Sequence, residues 1–103
     1  MKDLELICFQ LITSAGTAKS KYMEALAAAK QQDFQTARAL ITEGEKQMAD
    51  GHKSHTQLIQ QEAAGENVKL SLLLLHAEDQ MMSAETIKIM VEEMIELYQK
   101  RSG

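Results

Sequence analysis

The chain has 103 residues and a formal net charge of −4, with no proline, five glycines, two tyrosines and two phenylalanines. That length suits a single domain over residues 1–103, and the wealth of Ala, Leu, Met, Glu, Gln and Lys makes an all-α chain the expectation before any pattern is read. An acidic balance without a basic patch or aromatic platform argues against nucleic acid, and the longest aliphatic run, Leu72 to Leu75, is far too short to insert in a bilayer.

The first amphipathic segment places Leu4, Cys8, Leu11, Ala15, Ala18, Tyr22, Ala25 and Ala29 on one face, at alternating spacings of four and three. Gly16 is a weak spot inside it, since glycine costs about 1 kcal/mol in a helix relative to alanine. Cys8 lies in the apolar stripe with no charged neighbour to lower its pKa, so it reads as a packing residue. As the only cysteine it excludes an internal disulfide and fits a reducing compartment, which makes a cytoplasmic location the expectation. The segment ends near Lys30 to Asp33, and Asp33 suits the N-cap of a second helix.

That second helix carries Phe34, Ala37, Ile41, Gly44, Met48, Gly51, His55 and Leu58 at the same spacing, and closes near Ala63 to Asn67 with Gly65 in the left-handed position. His52 and His55 make a weak zinc set, because they stand at i, i+3 with no matching pair on the third helix. They read as core-edge residues that can line a pocket around His76.

The third helix is expected from about Lys69 to Lys100. Three segments of about 30 residues, each about 45 Å long at 1.5 Å per residue, joined by short connections, predict an antiparallel up-down-up three-helix bundle. One stripe of the third helix, Leu73, Ala77, Ala84, Ile87, Val91, Met94 and Tyr98, is enough to pack on its neighbours. A second stripe, Leu72, Leu75, Met82, Thr86, Ile89 and Met90, lies about 130° away, leaving Glu78, Glu85, Lys88, Glu92, Glu96 and Gln99 for the solvated side. Either the second stripe lines an oligomer seam, or the two stripes pack separately on the first and second helices.

Asp79 interrupts the second stripe. A carboxylate in an apolar seam needs a cation, a metal or a proton, and around a three-fold axis three copies would call for a shared hard divalent ion such as Mg²⁺. The plain alternative leaves Asp79 wet and paired across the bundle. His76 stands where the two stripes meet, with Ser83 two turns on along the same edge. An imidazole so placed suits phosphoryl relay, because its nitrogen attacks phosphorus without a separate strong base.

Leu75-His-Ala-Glu-Asp-Gln-Met-Met-Ser83 resembles the "HAQDHLMT" signature of the lactose/cellobiose-type enzyme IIA components of the bacterial sugar phosphotransferase system. In the same order, Ala15-Gly-Thr-Ala-Lys-Ser20 resembles that family's "AGxARS" element and Asp33-Phe34 its "GDF" turn. The run from Gly51-His52 through Thr56-Gln-Leu-Ile59 to Glu62-Ala-Ala-Gly-Glu66 resembles its "AHxxQTxLIxxEAxGE" segment. The resemblance covers nearly the whole chain. It implies a homotrimer of nine helices and a phosphohistidine at His76, charged by the phosphocarrier protein HPr and discharged to a cysteine of the cognate enzyme IIB during disaccharide uptake. It also implies a metal ion held by Asp79 on the trimer axis.

Three departures stand out: Glu78 for the usual glutamine, Gln80 for the usual second histidine, and His55 where glutamine is frequent. Glu78 points to the solvated side on the wheel, which would screen its charge, and Gln80 can replace a hydrogen-bond donor. Gln80, Ser83 and Glu78 are therefore the phosphoryl-pocket candidates beside His76. A non-catalytic helical adaptor that keeps the trimeric bundle is the main alternative; a histidine-phosphotransfer bundle of two-component signalling lacks the expected lysine and glycine around His76.

Overall fold

A computed structural model describes residues 4–102; the ends of the expected domain, residues 1–3 and 103, lie outside the described residues. Three helices follow in order, α1 (Leu4–Lys30), α2 (Phe34–Ala63) and α3 (Leu72–Ser102), forming a rod of 54 × 20 × 19 Å. Gly16 does not interrupt α1, which runs unbroken past it.

Local chemistry sets the joints. Asp33 Oδ1 accepts from the Thr36 backbone N–H at 3.2 Å and so caps α2. Gly65, at φ 88°, closes α2, and its N–H donates to the Glu62 carbonyl at 3.0 Å. Helix α3 starts at Leu72 rather than near Lys69, because Ser71 Oγ accepts from the Leu74 N–H at 3.1 Å and fixes the first turn there. The α2–α3 joint is correspondingly longer than expected, and Val68 in it tucks against the core.

Cross-helix neighbours give the directions. Gly44 lies against Tyr22 and Gly51 against Ser14, so α2 runs antiparallel to α1. Lys88 pairs with Glu45, His52 with Glu85 and His55 with Glu78, so α3 runs antiparallel to α2. The arrangement is the up-down-up bundle. Helix α1 packs along both of the others, whereas α2 and α3 meet over far fewer residues.

The buried face of α1 contains Cys8, Leu11, Ala15, Ala18, Tyr22, Ala25 and Ala29, as its spacing predicts, with Ile7 and Ser14 added. On α2, Ala37, Ile41, Gly44, Met48, Gly51 and Leu58 are buried. Helix α3 differs from expectation. Its buried line is Leu74, Ala77, Met81, Ala84, Val91 and Ile95, while Leu73, Ile87 and Tyr98 are half-buried and Met94 is exposed. The core line is rotated toward α2 because α3 must serve two partners at once. Glu78 and Lys88, expected on the solvated side, are consequently half-buried over α2.

The second stripe of α3 has no partner within the described residues. Leu72, Leu75, Met82, Ile89 and Met90 are 84%, 57%, 61%, 60% and 52% exposed, which excludes the arrangement that packs this stripe on α2. Leu97 extends the same open face at 62%. Helix α3 thus has a core line, a charged edge toward α2, an edge toward α1, and an open apolar face.

Candidate functional site

His76 lies in the second turn of α3, exposed, on the edge that borders α1. Gln80 and Ser83 follow along that edge at i+4 and i+7, both half-buried. The edge is bridged to α1 by Lys19, whose Nζ donates to Gln80 Oε1. Beyond this contact a shallow groove between the two helices is lined by Lys19, Ser20, Met23, Glu24, Ala27 and Ile87, and no salt bridge among the described residues joins Glu24 to Lys19.

Glu78 does not join this edge. Its Oε1 lies 2.5 Å from His55 Nδ1 on α2, a close contact without the alignment of a hydrogen bond to the ring nitrogen. Lower on the same seam His52 Nε2 lies 2.9 Å from Glu85 Oε1, and Lys88 Nζ lies 2.7 Å from Glu45 Oε2 and 3.9 Å from Glu92 Oε1. The hydrogen bond to Glu45 raises the Lys88 pKa above its ordinary value of 10.5, against the opposing effect of burial. His55 is a half-buried edge residue as expected, but it meets Glu78 rather than the His76 edge; His52 is exposed.

Asp79 is exposed on the open face, between Leu75 and Met82. No salt bridge reaches it among the described residues, so the pairing across the bundle considered from the sequence is not formed. Also among the described residues, no group of three or more His, Cys, Asp or Glu side chains is gathered to hold a metal ion. Within one chain Asp79 is a single oxygen donor set at the middle of an apolar strip.

The fold therefore gathers His76, Gln80 and Ser83 on one edge and sends Glu78 and Asp79 to two others. Lys19 joins the first group without having been singled out from the sequence; its signal was its place four residues after Ala15 and three after Gly16, at the rim of the buried α1 stripe. Cys8 is buried, and its thiol is pushed above its ordinary value by burial first and then by the Glu78 and Glu5 charges, which leaves it unreactive.

Residues 6–99 match the family model described as the PTS system, lactose/cellobiose specific IIA subunit. The chain belongs to this IIA family. It is 42% identical over 99 residues to the lichenan-specific phosphotransferase enzyme IIA component of Bacillus subtilis (strain 168), covering 96% of this chain and 90% of the relative. The crystal structure of the cellobiose-specific enzyme IIA from Bacillus anthracis superposes with a TM-score of 0.93 at 40% identity, covering 99% of this chain and 94% of that one. The IIA(Chitobiose) chain, solved in complex with HPr from the Escherichia coli phosphotransferase system, gives a TM-score of 0.86 at 32% identity with both chains fully covered. As a IIA subunit the protein is a component of a sugar phosphotransferase system, and no helix among its described residues is long and apolar enough to cross a membrane.

Proposed function

We propose that this IIA subunit is a cytoplasmic phosphoryl carrier. It accepts the phosphoryl group of phospho-HPr on His76 and donates it to a cysteine of the cognate enzyme IIB during uptake of a disaccharide of the cellobiose, chitobiose or lactose class. The observation that carries the reading is the exposed imidazole of His76 on the α3 edge that borders α1, where visiting proteins can approach it. In the transfer, the bond from phosphorus to the donor atom of HPr breaks as a P–N bond to His76 forms, and the electron pair stays on the departing atom. In discharge His76 is the leaving group: the P–N bond breaks as a P–S bond to the enzyme IIB cysteine forms, and the electron pair returns to the imidazole nitrogen. Positioning and charge stabilisation do most of the work in such chemistry, and Gln80 and Ser83 line the same edge as candidates for holding the phosphoryl oxygens.

The open face of α3 forms the seam of a homotrimer. Three copies of that face give nine helices around one axis, bury Leu72, Leu75, Met82, Ile89 and Met90, and bring three Asp79 carboxylates together. One carboxylate is too few to hold a metal, but three meeting on an axis suit a hard divalent cation such as Mg²⁺, whose chemistry there is to neutralise their repulsion.

The adaptor alternative rests on the Glu78 and Gln80 departures from the family pattern, Glu78 being an added charge near the phosphohistidine. The objection from charge weakens, because Glu78 is turned onto α2 and in contact with His55. The direct test is incubation with phosphorylated HPr. Wild type takes up label and His76→Ala takes up none; label retained by the variant refutes the assignment.

A further inference from the structure

Resting on His76 as the phosphoryl acceptor, we propose that Lys19 is the counter-charge of the phosphorylated imidazole, held in waiting by Gln80 one helical turn from the reacting ring. The phosphoryl group brings close to two negative charges to an already acidic protein, and a cation within reach lowers the cost of keeping it. Lys19 is placed for this role. Its stem is half-buried between α1 and α3, and its ammonium donates to Gln80, at i+4 from His76.

The partner matters as much as the position. Gln80 accepts a hydrogen bond without cancelling the charge, so the full positive charge of Lys19 is available to an arriving anion. Lys88 differs, being tied to the carboxylates of Glu45 and Glu92. The carboxylates that flank the site on α3 are turned away, Glu78 to His55 on α2 and Asp79 to the open face.

Space is available too. Helices α1 and α3 run parallel, so one turn before the Lys19–Gln80 contact the register sets Gly16 level with His76. A side chain added at Gly16 would meet nothing within 4 Å. Residues three and four apart on a helix lie about 5–6 Å from one another, a step that the four-carbon lysine stem spans by rotation. Lys19 therefore exchanges the Gln80 oxygen for a phosphoryl oxygen as the P–N bond to His76 forms. It gives up no proton.

The test compares Lys19→Met, Lys19→Arg and His76→Ala in transfer from phospho-HPr, together with ³¹P NMR titration of the phosphorylated proteins. Lys19→Met keeps the aliphatic stem and the fold, which thermal unfolding checks. It should slow transfer and lower its equilibrium extent by about tenfold, as expected for loss of a charge-assisted hydrogen bond. It should also move the phosphate ionisation seen by ³¹P to higher pH, a change that a merely structural strap would not produce; Lys19→Arg should restore both. If Lys19→Met matches wild type in rate and ³¹P midpoint while His76→Ala stays unlabelled, the role of Lys19 is overturned and the carrier assignment stands. Label on His76→Ala overturns both.

Discussion

Glu78 and His55 depart from the resembled family pattern at two positions 23 apart in sequence, and the fold brings the two departures into contact. The carboxylate two residues from His76 lies over α2. Both side chains retain part of their exposure, so the pair adds little to stability, on the order of 1 kcal/mol or less. Its consequence is directional. His55→Gln frees Glu78 from α2 but leaves it on the far side of α3 from His76, so it should slow phosphorylation by about twofold at most, the remaining effect of a distant, screened charge. Adding Glu78→Gln should restore the rate. A larger slowing of the single variant in quenched-flow transfer would show that the freed carboxylate reaches the His76 edge. The sequence placed Glu78 correctly outside the His76 edge, but only the packing of α3 over α2 reveals that it is paired rather than solvated.

At the level of elements, the inner faces of α1 and α2 were legible except for Ile7 and Ser14 at the margin of α1 and the half-buried Leu4, Phe34 and His55, because each has one partner-facing stripe and a single period describes it. Gly44 and Gly51 belong to that stripe for a steric reason. A β-carbon at Gly44 would overlap the ring of Tyr22, which is fully buried, whereas one at Gly51 would meet the movable end of Met81. Gly44→Ala should therefore cost about 3 kcal/mol and Gly51→Ala about 1 kcal/mol, read as thermal midpoints lowered by clearly different amounts. Equal losses would mean that the Tyr22 ring gives way as easily as a methionine. Helix α3 was less legible. With apolar residues on two sides and charged ones between, its wheel admits several rotations, and Leu74, Met81 and Ile95 enter the core only because α3 leans on α1 and α2 together. Its start was misplaced for a local reason, since the capping role of Ser71 was not recognised.

For the whole molecule, the notable quantity is what one chain leaves uncovered. The open α3 face holds six large apolar side chains that are more than half exposed, with Asp79 among the first five and Glu93 before Leu97. If three such faces meet, Asp79→Leu should keep the trimer in the absence of divalent ions, because it removes repulsion from an apolar seam. Asp79→Lys should sediment as a monomer. A wild type that sediments as a monomer with Mg²⁺ present removes the seam from the proposal.

Helix α1 is the shared wall of the bundle, touched along its length by both of its neighbours. During synthesis, α2 can fold back on it as soon as residue 63 has cleared the ribosome. The other flank, including the groove that borders His76, must wait for the last third of the chain. Until then the nascent hairpin carries an unfinished side, and the carrier edge is the last part of the bundle to be assembled, from the two helices farthest apart in its order.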